Sequence, residues 1–81
     1  MTNELEEYII GQLLYFDQTR AMLPRIKSQW FEDNLNKRIV ESMLEMYINN
    51  DEIDVLTLGK KFSRAEMVTI VKLTQNVYGM P

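Results

Sequence analysis

The sequence predicts an all-α fold, a compact bundle of about five helices, and three observations carry that expectation. Apolar residues recur at intervals of three and four along successive stretches. Polar residues suited to N-caps precede those stretches, and Asn- or Gly-containing turns follow them. No stretch alternates apolar and polar residues as a half-buried strand does, because Val68-Thr69-Ile70-Val71 lies inside a stronger helical pattern. With 81 residues, 46% of them hydrophobic, and only three Gly and two Pro, the chain has the apolar surface for one small core. Residues 1–81 therefore read as one domain.

The first helix is expected over about residues 4–16. Leu5, Ile9, Leu13 and Phe16 form its stripe, Tyr8 and Leu14 broaden it, and Glu4, Glu6 and Glu7 belong to the solvent side. Thr2 or Asn3 can cap its start, where the helix dipole favours the three glutamates. Gly11 in the middle costs about 1 kcal/mol relative to Ala, which points to another backbone packed closely on it. Asp17 opens a shorter segment with Met22, Leu23 and Ile26 on one edge. Pro24 removes a backbone donor and disfavours helical geometry at Leu23, so this segment is short or kinked. Trp30 and Phe31 follow, and both are expected to fill the core between helices.

From Asp33 a four-turn helix is predicted over about residues 34–49, burying Leu35, Ile39, Met43, Met46 and Tyr47, with Arg38 paired to Glu41 or Ser42. Asn49-Asn50-Asp51 ends it, since these residues tolerate left-handed backbone geometry. Asp54 caps a short helix with Val55, Leu58 and Phe62 inside. Ser63-Arg64-Ala65-Glu66 is a capping box, in which the Ser63 hydroxyl accepts from the Glu66 amide and the Glu66 carboxylate from the Ser63 amide. The helix it opens is expected to bury Met67, Ile70, Val71 and Thr74 and to end near Asn76-Val77-Tyr78-Gly79. Ile9, Leu13, Phe31, Ile39, Met43, Leu58 and Ile70 should meet in one core.

The absent residues bound the chemistry. Without His or Cys, neither Ser-His-Asp nor Cys-His nucleophilic sites can be assembled, and no disulfide or thiolate metal site is available. Gly11, Gly59 and Gly79 are too scattered for a phosphate-cradling loop. Asp51-Glu52-Ile53-Asp54 lacks the alternating ligands and central Gly of a calcium loop. The sequence thus predicts no catalytic residues, no metal site and no cofactor. No apolar run reaches the roughly 18 residues of a membrane span, and the acidic start is unlike a signal peptide, so a cytoplasmic protein is expected.

A net charge of −3 disfavours autonomous binding to nucleic acid. The charge alternates along the chain: residues 1–16 and 39–54 are acidic, 17–38 and 55–81 basic. One alternative function follows from this pattern. Two short helices meeting at Phe62-Ser63, with Lys60, Lys61, Arg64 and Lys72 exposed, would suit a small helix-turn-helix DNA-binding protein.

Taken together, the motifs resemble the N-terminal domain of DnaB-type replicative DNA helicases over about residues 4–75. Glu6-Glu7-Tyr8-Ile9-Ile10-Gly11-Gln12-Leu13-Leu14 is similar to the family's opening helix with its internal Gly. Trp30-Phe31 followed by Asn36, Ile39, Met43 and Tyr47 resembles its aromatic and following helix, with Asn36 where His is common. Asp51-Glu52-Ile53-Asp54-Val55-Leu56-Thr57-Leu58 resembles its turn of the form G-x-P-I-D-x-V-T-L, with Asp51 where Gly is frequent. The resemblance implies a non-enzymatic domain that helps assemble the collar of a helicase hexamer and binds primase or a helicase loader. It also implies a C-terminal helical hairpin that this sequence lacks; a free-standing phage-type regulator mimicking the collar is a further alternative. On that basis, self-association is expected through the first and fifth helices, where Val68, Leu73, Val77 and Tyr78 lie off or beyond the buried stripe. The acidic face of Glu41, Glu45, Asp51 and Glu52 is expected to meet a basic partner.

Overall fold

The computed structural model describes the backbone of residues 3–78 and the side chains of residues 4–14, 16 and 18–73. Five α-helices follow one another: α1 (Asn3–Tyr15), α2 (Asp17–Arg20), α3 (Asn34–Ile48), α4 (Val55–Gly59) and α5 (Arg64–Tyr78). Between α2 and α3 the chain makes two 3₁₀ turns, Leu23–Arg25 and Ser28–Trp30. Pro24 lies at the start of the first turn, where its missing donor costs no helical hydrogen bond. No strand occurs among the described residues.

Local chemistry sets the helix ends. Asp33 accepts from the Asn36 amide at 3.0 Å and caps α3; Asp54 accepts from the Thr57 amide at 2.7 Å and caps α4. The reciprocal box before α5 is formed, with Ser63 N to Glu66 Oε1 at 2.9 Å and Glu66 N to Ser63 Oγ at 3.2 Å. At the end of α3, Asn50 adopts φ 59°, the Asp51 amide donates to Met46 O and the Asn50 amide to Tyr47 O. This is a Schellman termination with Asn in the left-handed position usually held by Gly. The end of α1 is satisfied differently: Arg20 Nε reaches back to Leu13 O at 3.0 Å, placing a cation where the helix dipole is negative.

α1 packs along α5 and also against α3, and α4 bridges α3 and α5. Their inward faces form one core in which Leu13, Leu23, Phe31, Ile39, Met43, Leu58 and Ile70 are all essentially inaccessible to solvent. Ile9 lies at the edge of this core, half-buried.

Three expected faces are rotated. In α1 the inward residues are Glu6, Ile10, Leu13 and Leu14, whereas Leu5, Tyr8 and Phe16 are each almost half exposed. In α3 the inward set is Asn36, Ile39, Val40, Met43 and Met46; Leu35 is partly buried and Tyr47 lies out. Both shifts have the same cause, a buried polar pair. Asn36 Nδ2 donates to Glu6 Oε1 at 3.2 Å inside the core, so each helix turns a polar residue inward. In α5, Ile70 and Leu73 are buried and Val71 is exposed, which places Leu73 in the core and corrects its expected role as a surface residue. The side chain of Thr74, the remaining member of the expected stripe, lies outside the described residues. Arg38 pairs with Glu66 of α5, an ion pair between helices in place of the expected pair within α3.

Trp30 is the other correction. Phe31 is 1% exposed and fills the core as expected, but Trp30 is 49% exposed. The turn explains the split: Trp30 closes a 3₁₀ turn and Phe31 leaves it in extended geometry, so the neighbouring rings diverge.

Candidate functional site

The Glu6 carboxylate determines how the surface around α1 is built. Besides Asn36, it accepts from the Glu32 amide at 3.0 Å and the Asp33 amide at 3.4 Å. Burial pushes this carboxyl up, but the Glu32 amide, the Asn36 side chain and the Asp33 amide together outweigh it and hold the group below the ordinary glutamate value of 4.5. A buried anion bonded in this way ties α1 to the entry of α3. It also fixes the rotation of α1, and a second apolar stripe consequently faces outward.

Tyr8, from that stripe, lines an open groove of about 350 Å³. Tyr8, Ile9 and Gln12 of α1 line it together with Thr19 of α2 and with Met22, Ile26, Trp30 and Phe31 from the segment between α2 and α3. Tyr8, Met22 and Trp30 are 47%, 53% and 49% exposed, so large apolar groups meet solvent along the lip. The 3₁₀ turns hold the segment between α2 and α3 by their own backbone bonds, Ile26 N to Leu23 O and Phe31 N to Ser28 O, both at 3.0 Å. Large apolar and aromatic groups presented on a prebuilt surface are the usual anchors of protein–protein contacts.

The groove was not among the expected interaction residues. Its trace in the sequence is Tyr8 and Gln12, four residues apart and so on one side of α1. The contribution of Trp30 depends on the 3₁₀ turn and has no comparable periodic signature.

The expected acidic face is exposed but divided. Glu41 and Glu45 border a shallow depression with Arg38, Ser42, Lys61 and Phe62, and Lys61 Nζ lies 3.4 Å from Glu45 Oε1. Asp51 and Glu52 border another depression with Arg20, Tyr47, Asn50 and Ile53. Each acidic pair therefore has a cation beside it. Asp54, next along the chain, is absorbed into capping: the amide and hydroxyl of Thr57 lower its carboxyl pKa against the opposing effect of burial. Glu66 is lowered likewise by the Ser63 amide and by Arg38.

On α5, Val68 is 54% exposed and lies in a surface depression with Arg64, Met67, Val71 and Lys72. Leu73 is not part of that surface, and the side chains of Val77 and Tyr78 lie outside the described residues. Among the described residues, no three acidic side chains converge as a metal site would require, and no helix is long and apolar enough to cross a membrane.

The fold defines a small all-α domain. Its sequence matches the family model of the DnaB-like helicase N terminal domain over residues 1–78, and the chain belongs to that family. The family is a non-catalytic domain of the helicase, concerned in general with oligomerisation and protein interactions. No curated protein and no solved structure matches the chain.

Proposed function

We propose that this chain is a single-domain protein-interaction module of a replicative DNA helicase, acting in the cytoplasm in collar assembly and in binding primase or a helicase loader. The observation that carries the reading is the prebuilt apolar groove flanked by the half-exposed Tyr8 and Trp30, in a family concerned with protein contacts. Glu41, Glu45, Asp51 and Glu52 form the electrostatic part of the proposal. Exposed charges of this kind mainly raise association rates and lose their effect in salt. Val68 on α5 is the remaining candidate for subunit contact, together with Val77 and Tyr78.

The test is binding of the 81-residue chain to the primase and the loader of its own replication system, measured by calorimetry, alongside sedimentation equilibrium of the chain alone. Trp30→Ala is expected to weaken partner binding by about tenfold or more, as loss of an aromatic anchor does. Charge reversal at Glu41 and Glu45 is expected to slow association chiefly at low salt. A chain that stayed monomeric at the highest concentration and bound neither protein would refute the reading.

A further inference from the structure

α5 turns an outward face to solvent on which two cations bracket apolar side chains. Arg64, Val68 and Lys72 stand four residues apart and form one ridge along the helix, and Met67 and Val71 form the ridge beside it. These five residues line one surface depression, in which Val68 is 54% exposed and Arg64 and Lys72 are both exposed. At 1.5 Å per residue the two cations are about 12 Å apart along the helix axis, one at each end of the apolar strip. Among the described residues the ion pairs join Arg38 to Glu66 and Lys61 to Glu45, and neither Arg64 nor Lys72 has an acidic partner. Glu66, the one acid of α5, is taken up by Arg38 and the Ser63 amide.

The cations that suggest a DNA-binding helix pair in the sequence are therefore divided in the fold. Lys61 lies against an acid, whereas Arg64 and Lys72 bracket side chains that have no hydrogen bond to offer a phosphate. Among the described residues no aromatic ring lines the depression for a base to stack on, and no set of polar groups converges there to orient a small ligand. A helix backbone has no unpaired edge for strand addition. A second helix satisfies these conditions, because its own backbone is already bonded and one of its ridges packs into the groove between the two ridges of α5. Carboxylates at i and i+7 of that helix stand about two turns apart, close to the separation of Arg64 and Lys72, with the residue at i+4 between them over Val68. A second copy offers no such helix among the described residues: Glu4 and Glu7 of α1, and Glu41 and Glu45 of α3, stand a single turn apart, and α5 has one acid.

We propose that this face of α5 binds an acidic amphipathic helix of another protein. Two carboxylates of that helix, two turns apart, meet Arg64 and Lys72, and the apolar side chain between them packs on Met67, Val68 and Val71. The proposal rests on the interaction reading above and, within it, moves Val68 from contact between subunits to contact with a partner protein. Both ion pairs are exposed, so they set the selectivity and the association rate, while the apolar contact holds the helix in place.

The probe is a stapled helical peptide labelled with fluorescein at one end, with Glu at positions i and i+7 and Leu at i+4. Its control has the same composition with both Glu moved to the face opposite Leu. The expected result is a saturable rise in anisotropy, with affinity roughly threefold to tenfold above the control at low salt and no difference at high salt. Arg64→Glu with Lys72→Glu should remove that preference. Arg25→Glu with Lys27→Glu makes the same change in net charge at exposed positions between α2 and α3, and should retain it. Val68→Glu should abolish binding while circular dichroism shows the helices retained, since Val68 is exposed. Equal affinity for the two peptides, or equal loss of the preference in both charge-reversed variants, overturns the proposal. So does binding of duplex DNA that Arg64→Glu with Lys72→Glu abolishes, or self-association in sedimentation that Val68→Glu abolishes, which would assign the face to nucleic acid or to a second copy. If primase or loader binds and is lost in Trp30→Ala while neither peptide binds, the interaction reading stands and the acidic helix is refuted. If the peptide with Glu at i and i+7 binds as expected while the chain binds neither protein, the helix stands and the reading of its partners falls.

Discussion

Replacing Glu6 tests the central feature of the fold. Its carboxylate is fully buried and accepts from Asn36 Nδ2 at 3.2 Å and from the Glu32 and Asp33 amides at 3.0 and 3.4 Å. Two of these bonds have ordinary lengths and the third is long. A hydrogen bond to a charged group contributes about 1.5–3 kcal/mol net, and a buried donor left unsatisfied costs a comparable amount. Glu6→Gln keeps one acceptor oxygen but turns an amide donor toward other donors, so its expected cost is about 2–3 kcal/mol. Glu6→Ala leaves every donor unmatched and adds a cavity, for about 3–5 kcal/mol. For a domain of this size Glu6→Gln should lower Tm by roughly 10–20 °C, and Glu6→Ala should leave little folded protein at ambient temperature. Urea unfolding followed by circular dichroism measures both. The pH dependence supplies the sign. Because the folded carboxyl lies below the ordinary 4.5, its contribution is complete above that value and is lost as pH falls through the folded pKa. The gap between wild type and Glu6→Gln should therefore be widest at neutral pH and narrow as pH falls below the ordinary 4.5 and through the lowered folded pKa. A Gln variant within about 0.5 kcal/mol of wild type at neutral pH would refute the reasoning. So would a gap that did not change with pH.

Three further outcomes follow from local geometry. Asn50→Gly should stabilise the chain by a few tenths of a kcal/mol and Asn50→Val should cost about 1–2, because φ is 59° there; urea midpoints decide. Phe31→Ala should cost about 3–5 kcal/mol while Trp30→Ala costs under about 1, since only the first ring is buried, and thermal melts of the two variants separate them. Leu73→Ala should destabilise by about 2–5 kcal/mol, as a buried leucine does, and a melt unchanged from wild type would return Leu73 to the surface.

Much of the architecture was legible in the sequence because the determinants of helix ends are local. Asp33, Asp54, the Ser63–Glu66 box and the Asn50 turn each act within a few residues, and each appears where the residue types indicate. The motifs that resemble the DnaB-type family lie within residues 1–78, the stretch that the family model matches. The rotation of α1 and α3 required information the sequence does not carry locally. Hydrophobic periodicity places a glutamate outside, since isolated charge is costly to bury. It cannot register that Asn36 and two amides, 26 to 30 residues away along the chain, converge to satisfy that glutamate. Once Glu6 turns inward, α1 rotates, Tyr8 turns outward, and the groove beside Trp30 exists. Local chemistry thus determined the helices and their caps. Tertiary structure decided how α1 and α3 are rotated and where the apolar groove lies, because both depend on hydrogen bonds made across the fold.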